Sequence, residues 1–130
     1  MTLINYAARE LSREIGKRSR EFYEFVMPAI DMYEDESGLI VKIDLPGFKK
    51  DGIKISVEED ILSIRAKRME SEDERLGTIL YKQRPVQIDK RISLPIPIKE
   101  GEKVTGTAIY SDGVVTLRIP ISRVGIIPIT

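Results

Sequence analysis

From Ala29 to Ile121 the apolar residues of this chain recur with a period of two, and that alternation constrains the fold more than any other feature. Leu39, Val41, Ile43 and Leu45 alternate with Ile40, Lys42 and Asp44, and Ile53, Ile55 and Val57 alternate with Lys54, Ser56 and Glu58. Ile61, Ile64 and Ala66 lie beside Arg65 and Lys67, and Ile88, Ile92 and Leu94 beside Lys90, Arg91 and Ser93. Val104, Ala108, Ile109 and Tyr110, then Val114, Val115, Leu117 and Ile119, complete the set. Successive side chains of an extended backbone point to opposite faces, so each run reads as a strand with one buried face. Isoleucine dominates, and its branched Cβ suits a pleated strand better than a helix. Turn chemistry separates the runs at Ser37-Gly38, Pro46-Gly47, Asp51-Gly52, Glu59-Asp60 and Ser111-Asp112-Gly113. About seven short strands with no long helical pattern between them predict an all-β domain, an immunoglobulin-like antiparallel β-sandwich. Its expected bounds are residues 29–121.

Three segments break the pattern. In residues 1–28, Leu3, Ile4, Ala7, Ala8, Leu11 and Ile15 recur at three- and four-residue steps, with Arg9, Glu10, Arg13, Glu14, Lys17 and Arg18 between them. That spacing predicts an amphipathic helical arm, which the aromatic cluster Phe22, Tyr23, Phe25 and then Pro28 bring to a close. The arm either docks on its own domain or packs against other subunits and foreign apolar surface. Residues 69–87 form a loop, acidic at Glu70, Glu72, Asp73 and Glu74, that carries one more brief strand, Thr78, Ile79, Leu80 and Tyr81. A lone strand cannot satisfy its own backbone donors, so this segment is either an irregular excursion or a strand lent to a neighbouring subunit. Residues 122–130 read as a tail that is either frayed or extended, and in an extended tail Ile127 and Ile129 would project to one side with Pro128 between them. Ile-Pro-Ile also occurs at 96–98 and 119–121, where each copy has a local use in the fold. Full burial of the two tail isoleucines is worth on the order of 3–6 kcal/mol gross. One such contact is weak, but a closed assembly repeats it and becomes strong while each contact still opens readily.

Composition removes most chemistry. The chain of 130 residues has no His and no Cys, which takes away the usual ligands of zinc and copper and every triad or dyad built on imidazole or thiolate. No Gly-rich phosphate cradle and no G-x-S-x-G elbow occurs. Lys and Arg, 21 together, balance 21 Asp and Glu, which leaves no net field for nucleic acid. The polar face of the arm has nearly balanced charge, which disfavours a membrane-surface helix. The expectation is a cytoplasmic protein without catalysis, cofactor, metal or nucleotide that works by binding through apolar surface.

The strand-ending segment Asp44-Leu45-Pro46-Gly47-Phe48, followed by Lys49, Lys50, Asp51 and Ile53, resembles the D-L-P-G-F segment of the small heat-shock proteins, whose shared sandwich is the α-crystallin domain. Ala108 to Val115 is similar to that family's A-x-x-x-[ND]-G-V-L signature, with Val115 in the Leu place, and Ile127-Pro128-Ile129 resembles its I-x-I tail. The three signals stand in the expected order over residues 29–130. The resemblance implies an ATP-independent holdase, a homo-oligomer of dimers that captures partly unfolded proteins. It implies strand exchange between subunits through Thr78, Ile79, Leu80 and Tyr81. It implies docking of the Ile127–Ile129 anchor in a groove between the family's fourth and eighth strands. By motif that groove is lined by Ile55 and Val57 on one strand and Thr107 and Ile109 on the other. The arm residues Leu3, Ile4, Ala7, Leu11, Ile15, Phe22, Tyr23 and Phe25 become the client-binding candidates. One departure stands out: the Arg that the family commonly has four residues before the Leu of its L-P pair falls on Lys90, with Arg91 next. Lysine lacks the planar guanidinium fork, so an interface pairing there would change. The alternative is a monomeric, co-chaperone-like sandwich that docks on a folded partner and needs neither exchanged strand nor anchor.

Overall fold

The branched, alternating runs form seven strands: β1 (Ile30–Asp35), β2 (Gly38–Asp44), β3 (Ile53–Glu58), β4 (Ile61–Lys67), β5 (Gln87–Ser93), β6 (Thr107–Ser111) and β7 (Val114–Ile119). They are seen in a computed structural model that describes residues 18, 21, 27–96, 104–120 and 129. The strands make two antiparallel sheets, one in the order β1-β2-β7-β6 and one in the order β3-β4-β5. Leu39, Val41 and Ile43 of β2 and Val115, Leu117 and Ile119 of β7 pack against Leu62, Ile64 and Ala66 of β4 and Ile88 of β5. Leu45, Phe48 and Leu94, just beyond strand ends, close this core. The sandwich is therefore the all-β fold that the alternation predicts.

The two sequence signatures turn out to be one structural unit. Ser111-Asp112-Gly113-Val114 is a two-residue hairpin with φ of +54° at Asp112 and +77° at Gly113, the mirror-image turn that matches strand twist. A Cβ on Gly113 would stand 3.2 Å from the Pro46 Cα, a tight contact with backbone, and the φ of +77° there also favours glycine, so the close approach of the hairpin to the Leu45–Phe48 turn is best made with glycine. The Leu45 amide donates to the Gly113 carbonyl at 2.7 Å. From β6, the Tyr110 hydroxyl reaches the carbonyls of Leu45 at 2.8 Å and Phe48 at 2.6 Å. This clamp fixes the direction in which the chain leaves β2 for the second sheet.

Three local expectations shift. β4 buries Leu62, Ile64 and Ala66 rather than Ile61, because Ile61 pairs with Ser93 on the opposite face. Val104 precedes β6, which begins at Thr107. Residues 78–81 are not a strand in this chain, since no backbone among the described residues is paired with them; a short helix, α1 (Glu72–Leu76), occupies the acidic stretch before them. The Ser71 hydroxyl caps α1 by accepting from the Glu74 amide at 3.2 Å. A Ser followed three positions later by Glu is the signal that identifies this helix start.

Candidate self-association site

A sandwich of two open sheets leaves edge strands, here β1, β6, β3 and β5, each with backbone groups that only another strand or water can satisfy. Met27, leading into β1, and Ile88 of β5 line one cavity of about 250 Å³ together with Phe48 and Arg68.

Cross-strand partners in an antiparallel pair share a face, so register decides which side chains look into the sandwich. Ile55 pairs with Ile64 and Val57 with Leu62, which turns both inward, half-buried against the core. On β6 the inward residues are Ala108, opposite Leu117, and Tyr110, opposite Val115. Thr107 pairs with Arg118 and Ile109 with Thr116, which turns these two to the outer face, where Ile109 is 64% exposed. The four residues expected to line one groove thus fall into two pairs on different faces. Ala108 looks inward yet is exposed, so the inward side of the β6 edge is uncovered there.

The same logic separates the two candidate interface charges. Lys90 pairs with Ile64 and sits half-buried on the inward face, while Arg91 pairs with Ser63 and is exposed on the outer one. Their side chains do not converge.

The loop between β4 and β5 presents an apolar tip. Ile79, Leu80 and Tyr81 are 47%, 59% and 55% exposed. Its stem is polar. Arg68 donates to Pro85 and faces Glu74, and Lys82 pairs with Glu70. Burial alone would raise the Glu74 carboxyl, but the Ser71 amide, the Arg68 charge and the Ser71 hydroxyl together hold it below the ordinary 4.5. On β1, hydrogen bonds from the Ser37 hydroxyl and amide lower Asp35, partly offset by desolvation, and the Gly38 amide and Arg118 lower it further.

Ile129 is 97% exposed, whereas Ile127 and Pro128 lie outside the described residues. The arm candidates Leu3, Ile4, Ala7, Leu11, Ile15, Phe22, Tyr23 and Phe25 lie outside them as well. No described helix is long and apolar enough to cross a membrane. Sequence reasoning overlooked the inward orientation of Ala108, and Arg68 altogether. The first is recoverable by counting back from the Asp112-Gly113 turn; the second has no local pattern, because its partners are distant in the chain.

Residues 31–127 match the family model described as Hsp20/alpha crystallin family. The chain is a member of that family. Among solved structures it is similar to a mutant form of hsp14.1 from Sulfolobus solfataricus P2, at 41% identity and TM-score 0.68 over 99% of this chain and 98% of that one. A small heat-shock protein from Xylella fastidiosa, described as showing a distinct high order structure, is 26% identical with TM-score 0.56, over 80% of this chain and 93% of that one. Small heat shock protein C4 of Rickettsia felis is 31% identical over 98 residues, 75% of this chain and 58% of that protein. The chain spans less than two thirds of that relative's length. In this member of the Hsp20 family, both signatures, joined by Tyr110 and Gly113, lie within the matched region.

Proposed function

We propose that the chain is an ATP-independent cytoplasmic holdase that binds partly unfolded proteins and works as a homo-oligomer built from dimers. Membership of the Hsp20 family supports the chaperone class. The observation that carries the assembly reading is the tip Ile79, Leu80 and Tyr81, apolar, exposed and without a ladder partner among the described residues of its own chain. Apolar side chains on a segment without strand pairing suit capture by an open sheet edge, which supplies both hydrogen bonds and burial. In this reading Thr78 to Tyr81 of one subunit pair with the edge of β1 on another.

The second contact is the tail. Ile127 and Ile129 of one dimer insert between the β3 and β6 edges of the next, with Ile55 and Val57 as the floor, Ala108 facing them and Thr107 and Ile109 on the outer rim. Lys90 and Arg91 flank the dimer contact from opposite faces of β5. Arm residues Leu3, Ile4, Ala7, Leu11, Ile15, Phe22, Tyr23 and Phe25 bind clients once the assembly loosens. Neither nucleotide nor metal enters the cycle.

The test heats a labile client enzyme with the purified protein and no nucleotide while following light scattering. Suppression in proportion to added protein is expected. Scattering that rises as fast as in buffer contradicts the holdase reading.

A further inference from the structure

The loop that joins β4 to β5 is tied at its base by one side chain. The Arg68 amide donates to the Val86 carbonyl at 2.9 Å. Its Nε donates to the Pro85 carbonyl at 2.9 Å, its Nη2 reaches the Arg84 carbonyl at 3.4 Å, and its Nη1 reaches Glu74 Oε1 at 3.3 Å. The guanidinium therefore holds the returning leg and α1 together. Glu74 is held in place in turn, because the Ser71 hydroxyl donates to its carboxylate at 3.3 Å while accepting from its amide. Arg84 Nη1 stands 3.9 Å from the same carboxylate, and Lys82 pairs with Glu70 as a second rung. Only 8% of the Arg68 side chain is exposed, so water competes weakly for these contacts. The result is a charged stem carrying an apolar tip.

We propose that Arg68 is a positioning residue for subunit pairing: it closes the stem and so holds residues 78–81 ready for the partner's sheet edge. The proposal rests on the exchange reading given above. A slack loop would lose its freedom at the moment of pairing, which weakens association and speeds release; a stem closed during folding removes much of that penalty. The role needs the fork rather than the charge. Two carbonyls and a carboxylate lie around one planar group, and an ammonium at the same position cannot serve all three.

The experiment uses the full chain, with Arg68→Gln and Arg68→Lys. Hydrogen exchange is read separately for residues 69–86, for β1 and for the core strands β2 and β7. Subunit exchange is read by mixing isotopically light and heavy populations and following mixed species by native mass spectrometry. In Arg68→Gln, protection is expected to fall within 69–86, at the Arg75 and Gly77 amides among others, and subunit exchange to speed up by about tenfold with core protection unchanged. Arg68→Lys is expected to show most of the same change despite its retained charge. Unchanged protection in 69–86 overturns the clasp, and lost protection there with an unchanged exchange rate overturns its role in pairing. Should Arg68→Gln unfold the core, Glu74→Gln repeats the measurement with a milder lesion: faster subunit exchange supports the proposal and an unchanged rate overturns it. In the unaltered protein, a β1 edge that is unprotected at every concentration shows that the exchange reading itself fails. A protected edge with no effect of either variant shows that only the clasp fails.

Discussion

Replacing Tyr110 by Phe removes one oxygen from the clamp that joins the two signatures. That hydroxyl lies 2.8 Å from the Leu45 carbonyl and 2.6 Å from the Phe48 carbonyl, and its single proton is shared between them. A hydrogen bond of this kind contributes about 1 kcal/mol net, and a carbonyl left without its donor costs up to a further ~1–2 kcal/mol. Tyr110 is half-buried, so water restores part of the loss, and the expected destabilisation is roughly 1–2 kcal/mol. For a domain of this size that corresponds to a fall in melting temperature of roughly 4–10 °C. Calorimetry at fixed protein concentration measures it, since assembly makes the melting temperature depend on concentration. Hydrogen exchange supplies the local check: the Leu45 amide, which donates to Gly113 at 2.7 Å, is expected to lose protection in the variant. A shift no larger than that of the exposed control Lys54→Ala, with Leu45 protection intact, refutes the clamp.

Other perturbations test separate parts of the structure. Gly52→Ala places a Cβ 2.3 Å from the Lys67 carbonyl oxygen, a backbone contact that cannot simply rotate away, and is expected to cost about 2 kcal/mol or more in chemical denaturation. Leu80→Asp, at a position 59% exposed, is expected to leave the melting of an isolated subunit within about 0.5 kcal/mol of the original while shifting dimers toward monomers in sedimentation. Acid acts on the depressed carboxylates. The folded values of Glu74 and Asp35 lie below their ordinary 4.5 and 3.8, so their stabilisation is complete above those values and is lost as pH falls through the lower folded ones. Amide exchange corrected for its intrinsic pH dependence is therefore expected to show the stem and the β1–β2 turn opening in this acidic range while the apolar core stays protected. Equal protection of the stem well below this range contradicts the assignment.

Strand positions are legible in the sequence because a branched apolar residue recurs at every second position in β2 (Leu39, Val41, Ile43), β3 (Ile53, Ile55, Val57) and β7 (Val115, Leu117, Ile119), and an inward row of such residues has one stable burial. β6 is harder to read. Thr107, Ala108, Ile109 and Tyr110 offer no contrast between faces, so composition does not say which pair looks inward; the Asp112-Gly113 turn does, by placing Ser111 opposite Val114. Lys90 illustrates the reverse case, a cation at a position whose parity with Ile88 and Ile92 already marks it as inward. The apolar tip at 79–81 is visible as an unpaired run, but its polar stem is not. Arg68 meets Pro85 and Glu74 across sequence separations of 17 and 6 residues, and no local pattern encodes such contacts.

Sedimentation velocity on the full chain and on Ile127→Ser combined with Ile129→Ser tests the account most directly, because assembly through a repeated apolar anchor is what separates it from a solitary binding domain. The original chain is expected to sediment as a large homo-oligomer and the double variant as dimers. A monomeric original chain at every concentration, or a large particle that survives both substitutions, contradicts it.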